Sequence, residues 1–381
     1  MIYYGKQHIT SDDIEEVIKT LKSPMITQGE KVAEFEKKLA QYCKVKYAVS
    51  VANGTAALHL AVKTLELEKG YNGITTALSF VATANAMLYN NIKPVFVDIK
   101  KDHPIIDINE IEKRINSKTK LIISVDYAGI PVDYDKINSI AKKYSLYTIS
   151  DAAHSLGSKY KNQPIGGQAD LTTFSFHPVK TITTGEGGAI LTNNEILYKK
   201  LLILRNHGIT KNKNNFINKQ NIHSPWYYEM QQLGFNYRLT DFQCALGISQ
   251  LNKIENFIKR RKEIAHIYDK NFKNLEEIKI IHKEDAKEYA YHLYPILVNF
   301  NKIKKTKEDM FEFFKNRGIM LQVHYIPIVM QPYYQKLGYN KKNLPNTMDF
   351  YNKVVSLPIY YSLTEKEINH VIKTVKDFLI K

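Results

Sequence analysis

From Tyr47 onward the chain repeats one pattern: a short apolar run, a break, then apolar residues at helical spacing. The run AVSVAN alternates and is broken at Gly54-Thr55, after which Ala56, Leu58, Ala61, Val62 and Leu65 fall on one helical face. Apolar runs return at PVFVDI (94–99), KLIISV (120–125) and LYTIS (146–150), with helical patterns between them. Strands alternating with helices require right-handed crossovers, so the pattern predicts an α/β fold whose mostly parallel sheet is covered on both faces. Ligands of such sheets gather at the carboxyl ends of the strands.

Several residues fall at such ends. Asn53-Gly54-Thr55 joins a strand to a helix start, which is either an ordinary turn or, through its free amides and the helix dipole, a phosphate site. Asp151 directly follows LYTIS and reads as a helix cap or as a functional carboxylate. Phe80, in LSFVATANAM, is a core residue or a ring exposed to a ligand. The segment FSFHPVKTITTGEGG (174–188) puts Lys180 between an apolar-aromatic run and a turn built from Gly185, Gly187 and Gly188. A lysine there is a surface cation, or an amine nucleophile if its surroundings lower its pKa. GGAILTN reads as a strand returning from that turn.

The flanking regions frame a second, smaller unit. Thr10 with Asp13 gives a capping-box start for a helix over 10–21, and a second helix is expected over 29–43. The loop between them carries Pro24, Met25, Ile26 and Thr27. Residues 196–234 read as polar and irregular until Trp226-Tyr227-Tyr228, and 241–271 as a long helical region linking two domains. Beyond it AYHLYPILVNF reads as a strand, 306–317 as a helix, GIMLQVHYIPI as a strand running into a loop, and 363–380 as a closing helix. The expected division is 1–250 for the large domain with its N-terminal segment and 251–381 for a small α+β domain.

Composition narrows the function. The 381 residues carry a net charge of +16, but the lysines are spread over most of the expected helices. Their densest clusters, 211–219, 302–307 and 341–342, fall in expected loops or on solvated faces. An anionic small-molecule substrate therefore fits the charge better than nucleic acid does. Two separated cysteines, Cys43 and Cys244, and 12 dispersed histidines encode neither a disulfide framework nor a metal site. No run has the length of a membrane span and the N-terminus lacks a signal-peptide pattern, so a cytoplasmic protein with no membrane partner is expected.

A lysine, a carboxylate, an anion site and an aromatic face are the four things that pyridoxal 5'-phosphate requires of a protein. Lys180, Asp151, Gly54-Thr55 with Ser175, and Phe80 supply them. The motifs NGTAAL (53–58), SFVATANA (79–86), VDYAG (125–129), SDAAHSLG (150–157), ADLTTFSFHPVKTITTGEGGA (169–189) and LGFNYRLTDFQCALG (233–247) resemble the DegT-type sugar aminotransferases over nearly the whole chain. WYYEMQQLGFNYR, HLYPIL (292–297) and QVHYIPIVMQPYYQKLGY (322–339) look most like the branch of that family serving pseudaminic acid synthesis.

The resemblance implies the type I aspartate-aminotransferase fold, with a mostly parallel, mixed seven-stranded sheet in the large domain. It implies Lys180 as the catalytic lysine that holds the cofactor and Asp151 as the partner of its ring nitrogen. Gly54, Thr55 and Ser175 would hold the phosphate, Phe80 would stack on the ring, and Asn236 would reach the phosphate from a second subunit of a homodimer. Tyr4, Pro24, Met25, Ile26, Thr27, Gln322, Val323, His324 and Tyr325 match substrate-contacting positions. Ala153 departs from relatives that have a serine there.

The implied reaction moves the amino group of L-glutamate to C4 of a UDP-linked 4-keto sugar, UDP-2-acetamido-2,6-dideoxy-β-L-arabino-hex-4-ulose, by ping-pong kinetics. The same chemistry on a bacillosamine, legionaminic-acid or perosamine precursor is the alternative. Relatives that remove a 3-hydroxyl carry histidine in place of the lysine, and Lys180 argues against that activity. A nonenzymatic regulator or nucleic-acid-binding protein that kept the fold is the alternative of a different class.

Overall fold

The computed structural model describes residues 1–101, 103–218, 222–281 and 289–380; Lys219 of the expected lysine cluster lies outside them. Seven strands form the large sheet: β1 (Tyr47–Val51), β2 (Asn72–Thr76), β3 (Lys93–Val97), β4 (Thr119–Val125), β5 (Tyr147–Asp151), β6 (Leu171–Ser175) and β7 (Gly188–Thr192). Their spatial order is β1-β7-β6-β5-β4-β2-β3. All neighbours run parallel except β7, which is antiparallel to both β1 and β6. The expected mostly parallel, mixed sheet is therefore the observed one.

Two helical layers cover it. Helices Gly54–Thr64, Ala82–Tyr89 and Glu195–Arg205 bury Leu60, Met87 and Leu201 against one face. Helices Glu30–Cys43, Tyr134–Tyr144 and Asp241–Leu251 bury Phe35, Ile137 and Ile248 against the other. Strand β2 went unseen in the sequence because NGITT has neither alternation nor an apolar run. Its five residues are buried nonetheless, with Gly73 lying so close to Met87 that an added Cβ would stand 2.6 Å from the sulfur.

The expectation of irregular chain over 196–234 fails at its start. Asn194 accepts the Ile196 and Leu197 amides at 2.9 and 3.2 Å and opens the helix Glu195–Arg205. Leu197, Leu201 and Leu204 then fall on its buried face, a 4-and-3 spacing readable in the sequence. The long helical region is two helices, Asp241–Leu251 and Ile254–Phe272, with Asn252 and Lys253 between them.

The second of these helices serves two cores. Ile254, Phe257 and Ile258 pack into the large core, whereas Ile264, Tyr268 and Phe272 pack with the C-terminal elements. Those elements are an antiparallel sheet of β8 (Ile278–Ile280), β9 (Tyr294–Val298) and β10 (Val354–Leu357), with helices Lys307–Lys315 and Glu365–Ile380. Ile2 joins this core too, donating to the Gly318 carbonyl at 2.7 Å and accepting from Met320 at 2.8 Å.

GIMLQVHYIPI is not a continuous strand. It makes only single bridges, Ile2 with Ile319 and Gln322 with Ser356, because the chain leaves the small sheet to line a cavity. Among the described residues no helix is long and apolar enough to cross a membrane.

Asp241 fastens the start of the second helix. Its carboxylate accepts the Gly29 amide at 2.7 Å and the Lys31 amide at 2.9 Å, a cap supplied from 210 residues away in sequence. Asp241→Ala leaves both amides unpaired, and urea denaturation should show a loss of about 2 kcal/mol, the upper range for an N-cap.

Candidate active site

Strand register assembles the site. Asp151, the last residue of β5, lies opposite Thr173 of β6 and Val125 of β4. Two residues beyond Thr173 the strand ends at Ser175, and the following turn carries Lys180. Asp151, Ser175 and Lys180 thereby line one cavity of about 650 Å³.

Gly54 and Thr55 line the same cavity at the start of helix Gly54–Thr64. Asn53 caps that helix by accepting the Ala56 amide at 2.8 Å, and the first amides of a helix have no partner within it, which favours an anion at such an end. The approach is close: a Cβ on Gly54 would lie 2.9 Å from the Ser175 Cβ and 3.2 Å from its Oγ. The glycine turn completes this corner, since a Cβ on Gly188 would lie 2.5 Å from the Asn53 carbonyl oxygen. Phe80 is 55% exposed, which removes it from the core and places its ring on the cavity wall, 5.9 Å from that of Tyr325.

Asp151 is buried and held by donors. Thr83 Oγ1 donates to its Oδ2 at 2.6 Å and the Ala153 amide to its Oδ1 at 3.3 Å, while Ser79 Oγ lies 2.6 Å from Thr83 Oγ1. Burial pushes the carboxyl above the ordinary range; the Thr83 and Ala153 hydrogen bonds and the Lys180 charge pull it back. Lys180 shows the opposite balance. Loss of hydration lowers its ammonium to about 8, and the Asp151 charge opposes that shift.

Three buried imidazoles surround this pair: His154, His292 and His324. Burial drives His154 and His292 well below the usual histidine range and His324 down to about 3, with the Lys180 charge acting in the same direction. The neutral His154 has a defined tautomer. Its Nδ1 accepts the Ala128 amide at 3.2 Å, so the proton sits on Nε2 and donates to the Tyr325 hydroxyl at 2.9 Å. Tyr325 then has its own O–H to offer the cavity.

Of the residues expected from sequence, the cavity also takes in Tyr4, Gln322, Val323 and His324. The structure does not bring Pro24, Met25, Ile26, Thr27 or Asn236 to it. The first four lie on an exposed loop fixed by the Thr27–Thr240 bridge, and Asn236, itself exposed on a half-buried segment, is bridged to Asn206. Thr83 and His154 were missed, although both stand inside motifs quoted for their neighbours, SFVATANA and SDAAHSLG.

Comparison with known proteins gives this geometry a context. Residues 7–376 match the model of the DegT/DnrJ/EryC1/StrS aminotransferase family. A Campylobacter jejuni protein named UDP-4-amino-4,6-dideoxy-N-acetyl-beta-L-altrosamine transaminase is 41% identical over 100% of this chain and 98% of its own. The structure of Helicobacter pylori PseC, described as an aminotransferase involved in the biosynthesis of pseudoaminic acid, superposes with a TM-score of 0.93. It is 36% identical, covering 100% of this chain and 99% of the other. The PMP-form of Spr1654 of Streptococcus pneumoniae superposes with a TM-score of 0.91 at 32% identity over 99% and 98% of the two chains.

A lysine whose ammonium sits at about 8 is distinguishable from the other lysines of the chain. In the cofactor-free protein its neutral fraction grows as pH rises through 8, about two units before an ordinary lysine. Amine labelling followed by peptide mapping should show Lys180 modified half-maximally near pH 8.

Proposed function

The chain belongs to the DegT/DnrJ/EryC1/StrS aminotransferase family, and we propose that it aminates C4 of a UDP-linked 4-keto-6-deoxy-N-acetylhexosamine of L-configuration with glutamate as donor. It is a sugar aminotransferase and its cofactor is pyridoxal phosphate. The choice of sugar, UDP-2-acetamido-2,6-dideoxy-β-L-arabino-hex-4-ulose, is supported by the full-length similarity to the altrosamine transaminase of C. jejuni. The chemistry is carried by one observation: Lys180 and Asp151 share a cavity whose rim is a helix N-terminus backed by Ser175.

The residues present fit the cofactor. The cradle between Gly54 and Ser175 has no room for a Cβ, as expected where backbone amides close around a phosphate. Asp151 lies at the cavity with its carboxylate aimed by Thr83 and Ala153, suited to a protonated ring nitrogen. Such a cation would offset the cost of burying the Asp151 charge. When bound, the cofactor supplies an electron-withdrawing ring that accepts the charge left by a departing proton.

Lys180 then has two tasks. Its Nζ would hold the cofactor, and the amine, when free, would move the proton. A pKa near 8 keeps a useful fraction neutral at physiological pH. In the first half it removes the proton from Cα of glutamate; in the second it delivers a proton to C4 of the sugar. Phe80 would cover the ring, while Tyr4, Gln322 and Tyr325 line the cavity where the sugar would stand. The Tyr325 O–H, freed by the His154 tautomer, is the donor suited to a sugar oxygen.

A homodimer completes the proposal. Asn236 and the loop bearing Pro24 and Thr27 stay away from the cavity of their own chain. Met25, Ile26, Trp226 and Leu233 expose 53%, 44%, 79% and 72% of their surface in these two regions, the kind of apolar surface a partner covers. A second copy could then place Asn236 at the phosphate of its neighbour. The cytoplasm, which holds nucleotide sugars and glutamate, is the proposed location.

The substrate is tested with a UDP-N-acetylglucosamine 5-inverting 4,6-dehydratase as the source of the 4-keto sugar, with the product identified by NMR. The proposal expects a 4-amino sugar of L-altro configuration and slower turnover of the D-gluco 4-keto sugar. Equal or better turnover of the D-gluco compound contradicts the sugar assignment and leaves the aminotransferase in place. Gly54→Ala should weaken cofactor binding by about tenfold or more, equivalent to about 1.4 kcal/mol, in equilibrium dialysis; unchanged affinity would remove the phosphate from this corner.

A further inference from the structure

Tyr325 is controlled from outside the cavity by a buried residue. Tyr127 is fully buried and does not line the cavity, standing in the short turn that follows β4. Its ring packs edge-on to Phe350 and to His154, with centroids 5.6 and 6.4 Å apart. Its hydroxyl donates to the carbonyl of His324, the residue before Tyr325. Burial raises the phenol well above its ordinary pKa, so the proton stays in place to make that bond.

The next residue completes the hold. Ala128 donates its amide to His154 Nδ1 at 3.2 Å, and His154 Nε2 lies 2.9 Å from the Tyr325 hydroxyl. Two consecutive residues thus grip Tyr325 at both ends, Tyr127 through the backbone before it and Ala128 through the imidazole at its tip. The turn keeps Ala128 at φ 57°, a conformation that a residue with a side chain adopts only where its surroundings demand it. Other ties of this segment run to the small sheet. The Ser356 amide donates to the Gln322 carbonyl at 2.8 Å, and Ser356 Oγ lies 2.9 Å from His324 Nδ1.

Any buried tyrosine needs an acceptor for its hydroxyl. What sets this one apart is the carbonyl it takes, one residue from the side chain that would meet the sugar. We propose that Tyr127 is a positioning residue for the amino acceptor, fixing where the Tyr325 hydroxyl stands, a role that rests on the proposed contact of Tyr325 with the sugar. The two half-reactions then feel it differently. Both use Lys180 and Asp151, and the Asp151 carboxylate takes its hydrogen bonds from Thr83 and Ala153. Glutamate is flexible and its carboxylates can follow a displaced donor, whereas a pyranose ring is rigid and a shifted hydroxyl carries C4 away from the amine.

The test compares the half-reactions of cofactor-loaded protein by visible absorbance, using a 4-keto sugar that the wild type accepts. In Tyr127→Phe, which keeps the ring, the glutamate half should run at the wild-type rate and the sugar half about tenfold or more slower. Calorimetry should show severalfold weaker binding of the 4-amino sugar product. Tyr325→Phe should slow the sugar half as well, and adding Tyr127→Phe to it should cost little more. Unchanged rates in both halves, equal slowing of both, additive slowing in the double variant, or a Tyr127→Phe chain that forms no holoenzyme overturns the proposal. A wild type that rejects the UDP-linked L-sugar and accepts another 4-keto sugar contradicts the substrate assignment instead, and Tyr127 is then read with the sugar accepted.

Discussion

A carboxyl buried at the end of a central strand needs donors, and around Asp151 that need organises the molecule. Thr83 reaches it from helix Ala82–Tyr89, the Ala153 amide from the turn after β5, and the Lys180 charge from the turn after β6. These groups are brought together by the parallel register of β5 with β6, which sets Asp151 beside Thr173. A slip of one residue would turn each side chain of β6 to the opposite face. Sheet register is thus part of the chemistry as well as of the fold.

The corner proposed for the cofactor's phosphate depends on steric exclusion instead. Two strands and a helix converge where Gly54 meets Ser175 and Gly188 meets the Asn53 carbonyl, and neither contact leaves room for a side chain. The antiparallel strand β7 is therefore more than a filler between β1 and β6. It returns the chain from the Lys180 turn and closes the backbone around the start of helix Gly54–Thr64. Lys180 and the corner around Gly54 are joined by one short stretch of chain.

Much of this was legible because its signals are local. The strand-to-helix turn at Gly54, the carboxylate after LYTIS and the lysine before a run of glycines can each be read within a few residues, and the structure places all three on one cavity. Strand β2 was hidden because burial on both faces needs no alternation, and its threonines fit a buried position as readily as an exposed one. The helix Glu195–Arg205 carried its leucine spacing openly and was lost among polar neighbours. Contacts made across the sequence, such as Thr83 with Asp151 or Asp241 with Gly29, have no local signature at all. The segment 318–328 misled for a related reason: Val323, Tyr325 and Ile326 serve a cavity wall, which an apolar pattern does not distinguish from a sheet.

The central claim is that one lysine among the 54 basic residues of this chain carries the cofactor. Borohydride reduction of the cofactor-loaded protein, followed by digestion and mass mapping, tests it directly. The account predicts a phosphopyridoxyl group on the peptide containing Lys180 and stoichiometric with bound cofactor. Modification concentrated on any other lysine would contradict it.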